Sequence, residues 1–262
     1  MNILERIVAH KRREVAARRA WMPEAALERM PGMERPCHSL KAALLTPGST
    51  GIIAEFKRRS PSKGAIAPEA DPERVVPAYE AAGAAACSVL TDNVFFGGQL
   101  EDLLRARSRV RLPLLRKEFT VHPYQILEAR AAGADVVLLI ASVLQAAEIQ
   151  EFSALARSLG MESLLEVHDA EELARTYCDT VDLVGVNNRS LKTFEVSLDT
   201  SMGLIGLMPP GTAAVAESGI RTGADLAALR AAGFRGFLIG ESFMARPDPG
   251  AACRTLIESA YA

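Results

Sequence analysis

The sequence predicts an α/β fold, a closed (β/α)8 TIM barrel preceded by a helical extension, and three observations predict it. Eight apolar runs of strand length follow residue 50, and nearly every one leads into an Ala, Leu, Glu and Arg-rich stretch with helical spacing. A short phrase recurs where helix gives way to strand, as AAGAAA at 81–86, AAGADV at 131–136 and AAGFRG at 231–236, which marks a repeated βα unit. The 262 residues also match the roughly 250 of one such barrel. An open doubly wound sheet usually has fewer strands and a G-x-G-x-x-G turn after the first, and no such turn follows residues 52–56.

Taken in chain order, a helix is expected at about 2–18 and a short one near 38–45, with Pro23, Pro31-Gly32 and Pro36 between them. About fifty residues bury little core alone, so 1–50 should pack on the barrel as an extension, and 1–262 should form one domain. The strands are expected at 52–56, 85–90, 113–117, 135–140, 162–167, 182–187, 213–218 and 235–240. Their apolar, β-branched character suits parallel strands covered on both faces. Helices are expected at 71–82, 100–108, 122–132, 145–159, 169–177, 198–207, 222–232 and 248–260. Pro72 and Pro123 occupy first-turn positions, and Gly83, Gly133, Gly160 and Gly233 sit where helices should stop. Trp21, the sole tryptophan, is expected to pack within the extension.

Composition narrows the partners. Thirty Lys and Arg against thirty-two Asp and Glu give a net charge of −2, which argues against a general nucleic-acid surface and leaves room for a local cationic pocket. Cys37, Cys87, Cys178 and Cys253 form no C-x-x-C pair, so neither a zinc motif nor a disulfide framework is suggested and a reducing, cytoplasmic setting fits. The most apolar stretch, 136–144, is far shorter than the roughly 20 residues that span a bilayer. Glu5, Arg6, His10 and Lys11 interrupt any signal-peptide core, and the N-terminus reads as a solvated amphipathic helix. The expectation is a monomer or weak homo-oligomer acting on a small molecule, without a membrane or nucleic-acid partner. The four histidines lack metal-ligand spacing, so no metal is expected.

In a barrel of this kind the active site forms at the C-terminal ends of the strands. Glu55 and Lys57 end the first strand, Lys117 the third, Glu166 the fifth, Asn187 and Arg189 the sixth, and Glu217 and Ser218 the seventh. A single such residue could be a rim charge or a structural ion pair. Several strand ends converging with two lysines and three glutamates are harder to dismiss, because burying them is costly unless they pair or bind something. A phosphate site is the second constellation. Gly219 and Gly240 directly follow the seventh and eighth strands, where such barrels often hold phosphate, and Lys57 and Ser60 supply a third side. Phe96 and Phe119 lie just beyond the second and third strands, either as core or as an apolar wall for an aromatic substrate.

At these residues the sequence resembles the indole-3-glycerol phosphate synthases. The likeness is carried by IIAEFKRRSPSKG (52–64), LTDNVFFGG (90–98), LLRKEF (114–119), GADVVLLIAS (133–142), LLEVHDAEEL (164–173), VGVNNRSLKTFEVSLDTS (184–201), AESGI (216–220) and IGESFM (239–244). Each motif alone is weak and their combination is specific. The resemblance implies a decarboxylating carbon–carbon lyase of tryptophan biosynthesis. Such an enzyme converts 1-(2-carboxyphenylamino)-1-deoxyribulose 5-phosphate to indole-3-glycerol phosphate without a cofactor. Carried over by position, it implies Lys117 as the acid of ring closure, Glu166 as base, and Lys57 with Glu55 as an acid or orienting pair. Asn187, Arg189, Glu217 and Ser218 become substrate contacts, and Lys57, Ser60, Gly219, Gly240 and the backbone of Glu241 the phosphate contacts. Two departures are visible: Glu118 follows Lys117 where the family usually has Asp, and Gly97-Gly98-Gln99 replaces a more usual x-Gly-Ser. Three other readings stand beside this one: a related phosphate-binding isomerase barrel, a Schiff-base aldolase, and a catalytically silent sugar-phosphate-binding barrel.

Overall fold

The structure, a computed structural model, describes residues 2–190 and 194–261. Eight parallel strands close a barrel: β1 (Ile52–Phe56), β2 (Ala86–Leu90), β3 (Leu114–Lys117), β4 (Val136–Ile140), β5 (Glu162–Val167), β6 (Leu183–Asn187), β7 (Ala213–Glu217) and β8 (Gly236–Ile239). Each pairs with its sequence neighbours and β8 closes onto β1, where Ile53 aligns with Leu238 on one side and Ala86 on the other. Every strand falls within one residue of its expected bounds at each end. The helices that follow the strands lie within two residues of their expected bounds, that at Asp199–Leu204 by tightening into a 3-10 turn over Ile205–Leu207 before Met208. The first helix runs three residues beyond its expected end, to Trp21.

Strand alternation sorts the core into two layers. Ile53, Leu115, Leu138, Leu164, Leu183, Val215 and Leu238 fill the interior, and Leu40 and Leu44 of the short helix Leu40–Leu45 join that cluster from the extension. The alternate residues, among them Ala54, Phe56, Val137 and Leu139, pack outward against the surrounding helices. Because side chains repeat every two residues, the inward face at the C-terminal end of each strand is fixed by the apolar residue below it. Glu55 follows Ile53 inward, Lys117 follows Leu115, Glu166 follows Leu164, Asn187 follows Gly185, and Glu217 follows Val215.

The extension begins with a helix at Ile3–Trp21, capped by reciprocal bonds between Asn2 and Glu5. Its buried residues, Ile7, Lys11 and Val15, recur every fourth position and define the face laid on the barrel. Two expectations change here. Trp21 lies off that stripe and is 80% exposed, so it does not pack. Lys11 is buried rather than solvated, because the stripe that buries Ile7 and Val15 passes through it. Five short elements were not expected: Glu24–Leu27, the 3-10 turn Pro31–Met33, Asn93–Phe96, Glu241–Met244, and the hairpin of Arg59–Ser60 with Gly64–Ala65. They are too short to show periodicity. Asn93–Phe96, for example, is set by its cap, since the Asp92 carboxylate accepts the N–H groups of Phe95 and Phe96.

Candidate active site

The inward residues at the barrel mouth meet as two lysine–carboxylate groups. The Lys57 ammonium donates to Glu55 at 2.6 Å. The Lys117 ammonium donates to Glu166 at 2.8 Å and to Glu217 on the adjacent side. Asn187 donates to the other Glu166 oxygen at 3.2 Å, and His168 Nε2 lies 3.7 Å from that same oxygen. Two glycines make room for this cluster. A Cβ at Gly185 of β6 would come within 2.2 Å of Glu217 Oε1, and one at Gly240 within 2.4 Å of Glu55 Oε1. Gly240 therefore has a role in seating Glu55 that its place in a tight turn does not convey.

Burial and pairing divide the two carboxylates that share Lys117. Burial works against ionisation of Glu166, but Lys117 and His168 overcome it and hold the carboxyl down at about 2. Burial pushes Glu217 up to about 7; the pull of Lys117 opposes that rise, and the charge of Glu166 adds to it. Burial alone would lower Lys117, yet Glu166, Glu217 and Glu55 together raise it above its ordinary value, so it stands as an ammonium. His168 is likewise raised: burial opposes its charge, and Glu172 and Glu166 favour it. At neutral pH the mouth thus holds a committed cation, a committed anion and a carboxyl poised near its midpoint. Pairs pushed apart in this way are the usual mark of acid and base duties.

One cavity of about 1140 Å³ joins all of this, and every site residue anticipated from the sequence lines it. Leu138, Ile140 and Leu238 form its apolar floor, and Phe96 and Phe119, with ring centroids 6.0 Å apart, form an aromatic side. On another side stand Ser60, Ser218, Gly219, Gly240 and Glu241. Ser218 has φ of +67°, a left-handed conformation uncommon outside glycine, and Gly219 follows at +82°. Arg189 reaches over the rim to Glu241 at 3.4 Å, and Lys63 lies 3.6 Å from the same carboxylate.

The helix of the extension reaches the barrel mouth, where Ile3, Leu4 and Ile7 also line the cavity; their i, i+4 spacing announces a buried face, but none of the three was singled out from the sequence. His168, two places after Glu166 at the end of the fifth strand, reads from the sequence only as a rejected metal ligand, whereas the structure sets its ring beside the Glu166 carboxylate. Glu118 turns away from the reacting cluster and binds Thr91 at 2.9 Å. Gly98 is required where it stands, since a Cβ there would meet the Leu90 carbonyl oxygen at 2.0 Å, and Gln99 caps the next helix. Leu191, Lys192 and Thr193, within the 184–201 motif, lie outside the described residues. Among the described residues, no cluster of His, Cys, Asp and Glu is arranged to hold a metal, and no helix is long and apolar enough to cross a membrane.

Comparison with known proteins agrees with this geometry. A family model described as "Indole-3-glycerol phosphate synthase" matches residues 4–256. A protein of that name from Bacteroides thetaiotaomicron is 46% identical over 259 residues, covering 98% of both chains. Another from Azoarcus sp. is 47% identical over 264 residues, covering 97% of this chain and 98% of its own. Among solved structures, a mutant tryptophan synthase α-subunit from Pyrococcus furiosus superposes with a TM-score of 0.61 at 13% identity, covering 81% of this chain and 98% of that one. That likeness concerns the fold alone.

Proposed function

The chain belongs to the indole-3-glycerol phosphate synthase family, and on that premise we propose how its barrel mouth closes the indole ring of 1-(2-carboxyphenylamino)-1-deoxyribulose 5-phosphate. The aromatic carbon bearing the carboxylate attacks the ribulose carbonyl, and Lys117 gives that oxygen its proton. Loss of CO2 returns the bonding electron pair to the ring, which is its own electron sink. The new hydroxyl then leaves as water with a proton from the Lys57–Glu55 pair, while Glu166 takes the proton from the five-membered ring. Asn187 and Arg189 orient the substrate and its carboxylate. Glu217 and Ser218 complete the substrate contacts beside Lys117, and Phe96 and Phe119 face the aromatic ring. Lys57, Ser60, Gly219, Gly240 and the Glu241 backbone take the phosphate.

The observation that carries this reading is Lys117 held between a carboxylate kept ionised and one raised to about 7, at the centre of a single large cavity. The near-neutral net charge fits work on a small molecule away from nucleic acid, and the four free cysteines fit the cytoplasm. The deciding experiment mixes purified protein with the carboxyphenylamino-deoxyribulose phosphate, with no added metal or cofactor, and follows indole fluorescence together with CO2 release. Both signals should rise together. A folded protein that binds the compound without turnover would overturn the mechanism.

A further inference from the structure

A second buried lysine stands apart from the reacting cluster. Lys11, on the helix Ile3–Trp21, is 1% exposed. Its ammonium lies 2.8 Å from Glu14, 3.1 Å from Asp92 and 3.1 Å from Glu118. Glu14 is its neighbour on the helix, whereas Asp92 and Glu118 belong to the loops after β2 and β3, and each of these has another task. Asp92 accepts the N–H groups of Phe95 at 2.7 Å and Phe96 at 3.2 Å. The Glu118 oxygen that faces Lys11 accepts the N–H of Phe119 at 2.8 Å. His10 reinforces the same junction by packing edge-on against Phe95, with ring centroids 5.8 Å apart.

We propose that Lys11 is a positioning residue for the aromatic part of the substrate: by holding the Asp92 and Glu118 carboxylates together, it fixes the backbone from which Phe96 and Phe119 face the cavity. The inference rests on the reading that a carboxyphenyl ring lies against those two side chains. Without the ammonium, two buried carboxylates would face each other and repel. The loops after β2 and β3 would part, and the rings they carry would lose their common spacing. Gly219, Gly240 and Glu241 follow β7 and β8 and receive no bond from this network among the described residues. Arg58, which stands between Lys57 and the hairpin of Ser60, is anchored independently to Asp102 at 2.8 Å and to the Ala70 carbonyl at 3.0 Å, so the phosphate contacts should be spared.

The test uses full-length Lys11→Met and two probes, the carbonyl-reduced substrate analogue that bears the carboxyphenyl ring and inorganic phosphate. Binding of the ring-bearing analogue should weaken at least about tenfold while phosphate affinity stays within about twofold of wild type, and KM should rise by a larger factor than kcat falls. Glu118→Gln keeps an acceptor for the Phe119 N–H but loses the charge, and should show a smaller loss with the same split; it carries the test alone if Lys11→Met does not fold. Unchanged affinity for the ring-bearing analogue in a folded variant would overturn the proposal, as would equal losses for both probes. Absence of turnover by the wild-type protein would instead overturn the reaction, and the comparison of the two probes would still decide the role of Lys11.

Discussion

Asp135 and Glu217 are both buried carboxylates of the barrel, 0% and 1% exposed, at opposite ends of it. Asp135 stands at the entry to β4 and is fully engaged: it accepts Arg35 at 2.7 Å, Arg107 at 2.9 Å, and the N–H groups of His38 and Leu114, each at 2.8 Å. Glu217 stands at the exit of β7, shares Lys117 with Glu166, and has one oxygen without a hydrogen bond among the described residues. The first carboxylate ties the extension, a helix end and two strand entries together. The second is left incompletely satisfied beside a cavity, and its burial, opposed by Lys117 and aided by the charge of Glu166, raises it to about 7. Of these two buried carboxylates, the one at the lower end is thus committed to cohesion, while the one at the upper end is kept available for a substrate.

The comparison can be broken most forcefully at the lower end. Asp135→Ala would leave Arg35, Arg107 and two N–H groups without their acceptor, and a stability loss of about 3–5 kcal/mol is expected in urea titration. The molecules that remain folded should keep near wild-type kcat; a selective loss of kcat with stability intact would erase the distinction between the ends. Lys117→Ala and Glu166→Gln should behave in the opposite way, lowering kcat by at least roughly 10²-fold, about 2.7 kcal/mol, with the fold retained by circular dichroism. Near wild-type turnover in either variant would remove that residue's assignment.

A finer probe is Gly185→Ala, whose added Cβ would displace the Glu217 carboxylate. A loss of roughly tenfold in kcat/KM, about 1.4 kcal/mol, is expected. Gly203→Ala, which places its Cβ in open space, should leave kcat/KM unchanged.

The smallest effect concerns pH. Glu217 has a folded pKa of about 7 against an ordinary value of 4.5, so the native state holds this proton more tightly than the unfolded chain. Its contribution to stability therefore declines as pH rises from about 4.5 to 7. Glu166 acts in a separate window: its depressed value favours the native state above 4.5, an advantage lost as pH falls towards 2. Glu217→Gln should accordingly gain stability relative to wild type between pH 5 and pH 8, on the order of 1 kcal/mol because the titration is shared around Lys117. Parallel stability curves for the two proteins across that range would contradict the raised Glu217.

Much of this was legible because barrels are periodic. Strand bounds came within a residue since several runs begin just after a helix-ending glycine, as at Gly83, Gly133, Gly160 and Gly233, all at positive φ, and others end at a charge, as at Lys117 and Glu217. The lysines and glutamates of the mouth were legible for the same reason, as polar residues at strand ends. Lys11 was not, since one basic residue in an amphipathic helix looks like any solvated cation until its partners from distant loops are known. Trp21 was misjudged because composition says that a tryptophan wants cover without saying which helix face the fold provides. Gly185 and Gly240 were legible as glycines in or after strands, but not as the space in which Glu217 and Glu55 sit.

The sequence by itself determined the eight βα units, the end of the barrel where chemistry belongs, and the set of charged residues brought there, because alternation and capping act over a few neighbouring residues. Only the tertiary structure decided how those charges divide their duties. Lys117 is stabilised as a cation, Glu166 as an anion and Glu217 near its midpoint through desolvation and Coulomb interactions among strands β3, β5 and β7, whose closing residues lie 49 to 100 positions apart in the chain. The same holds for Lys11, where burial by the extension turns a surface-type residue into a tie between two loops. Local rules place a side chain on a face, and its protonation and partners depend on what the rest of the chain brings within a few ångströms of it.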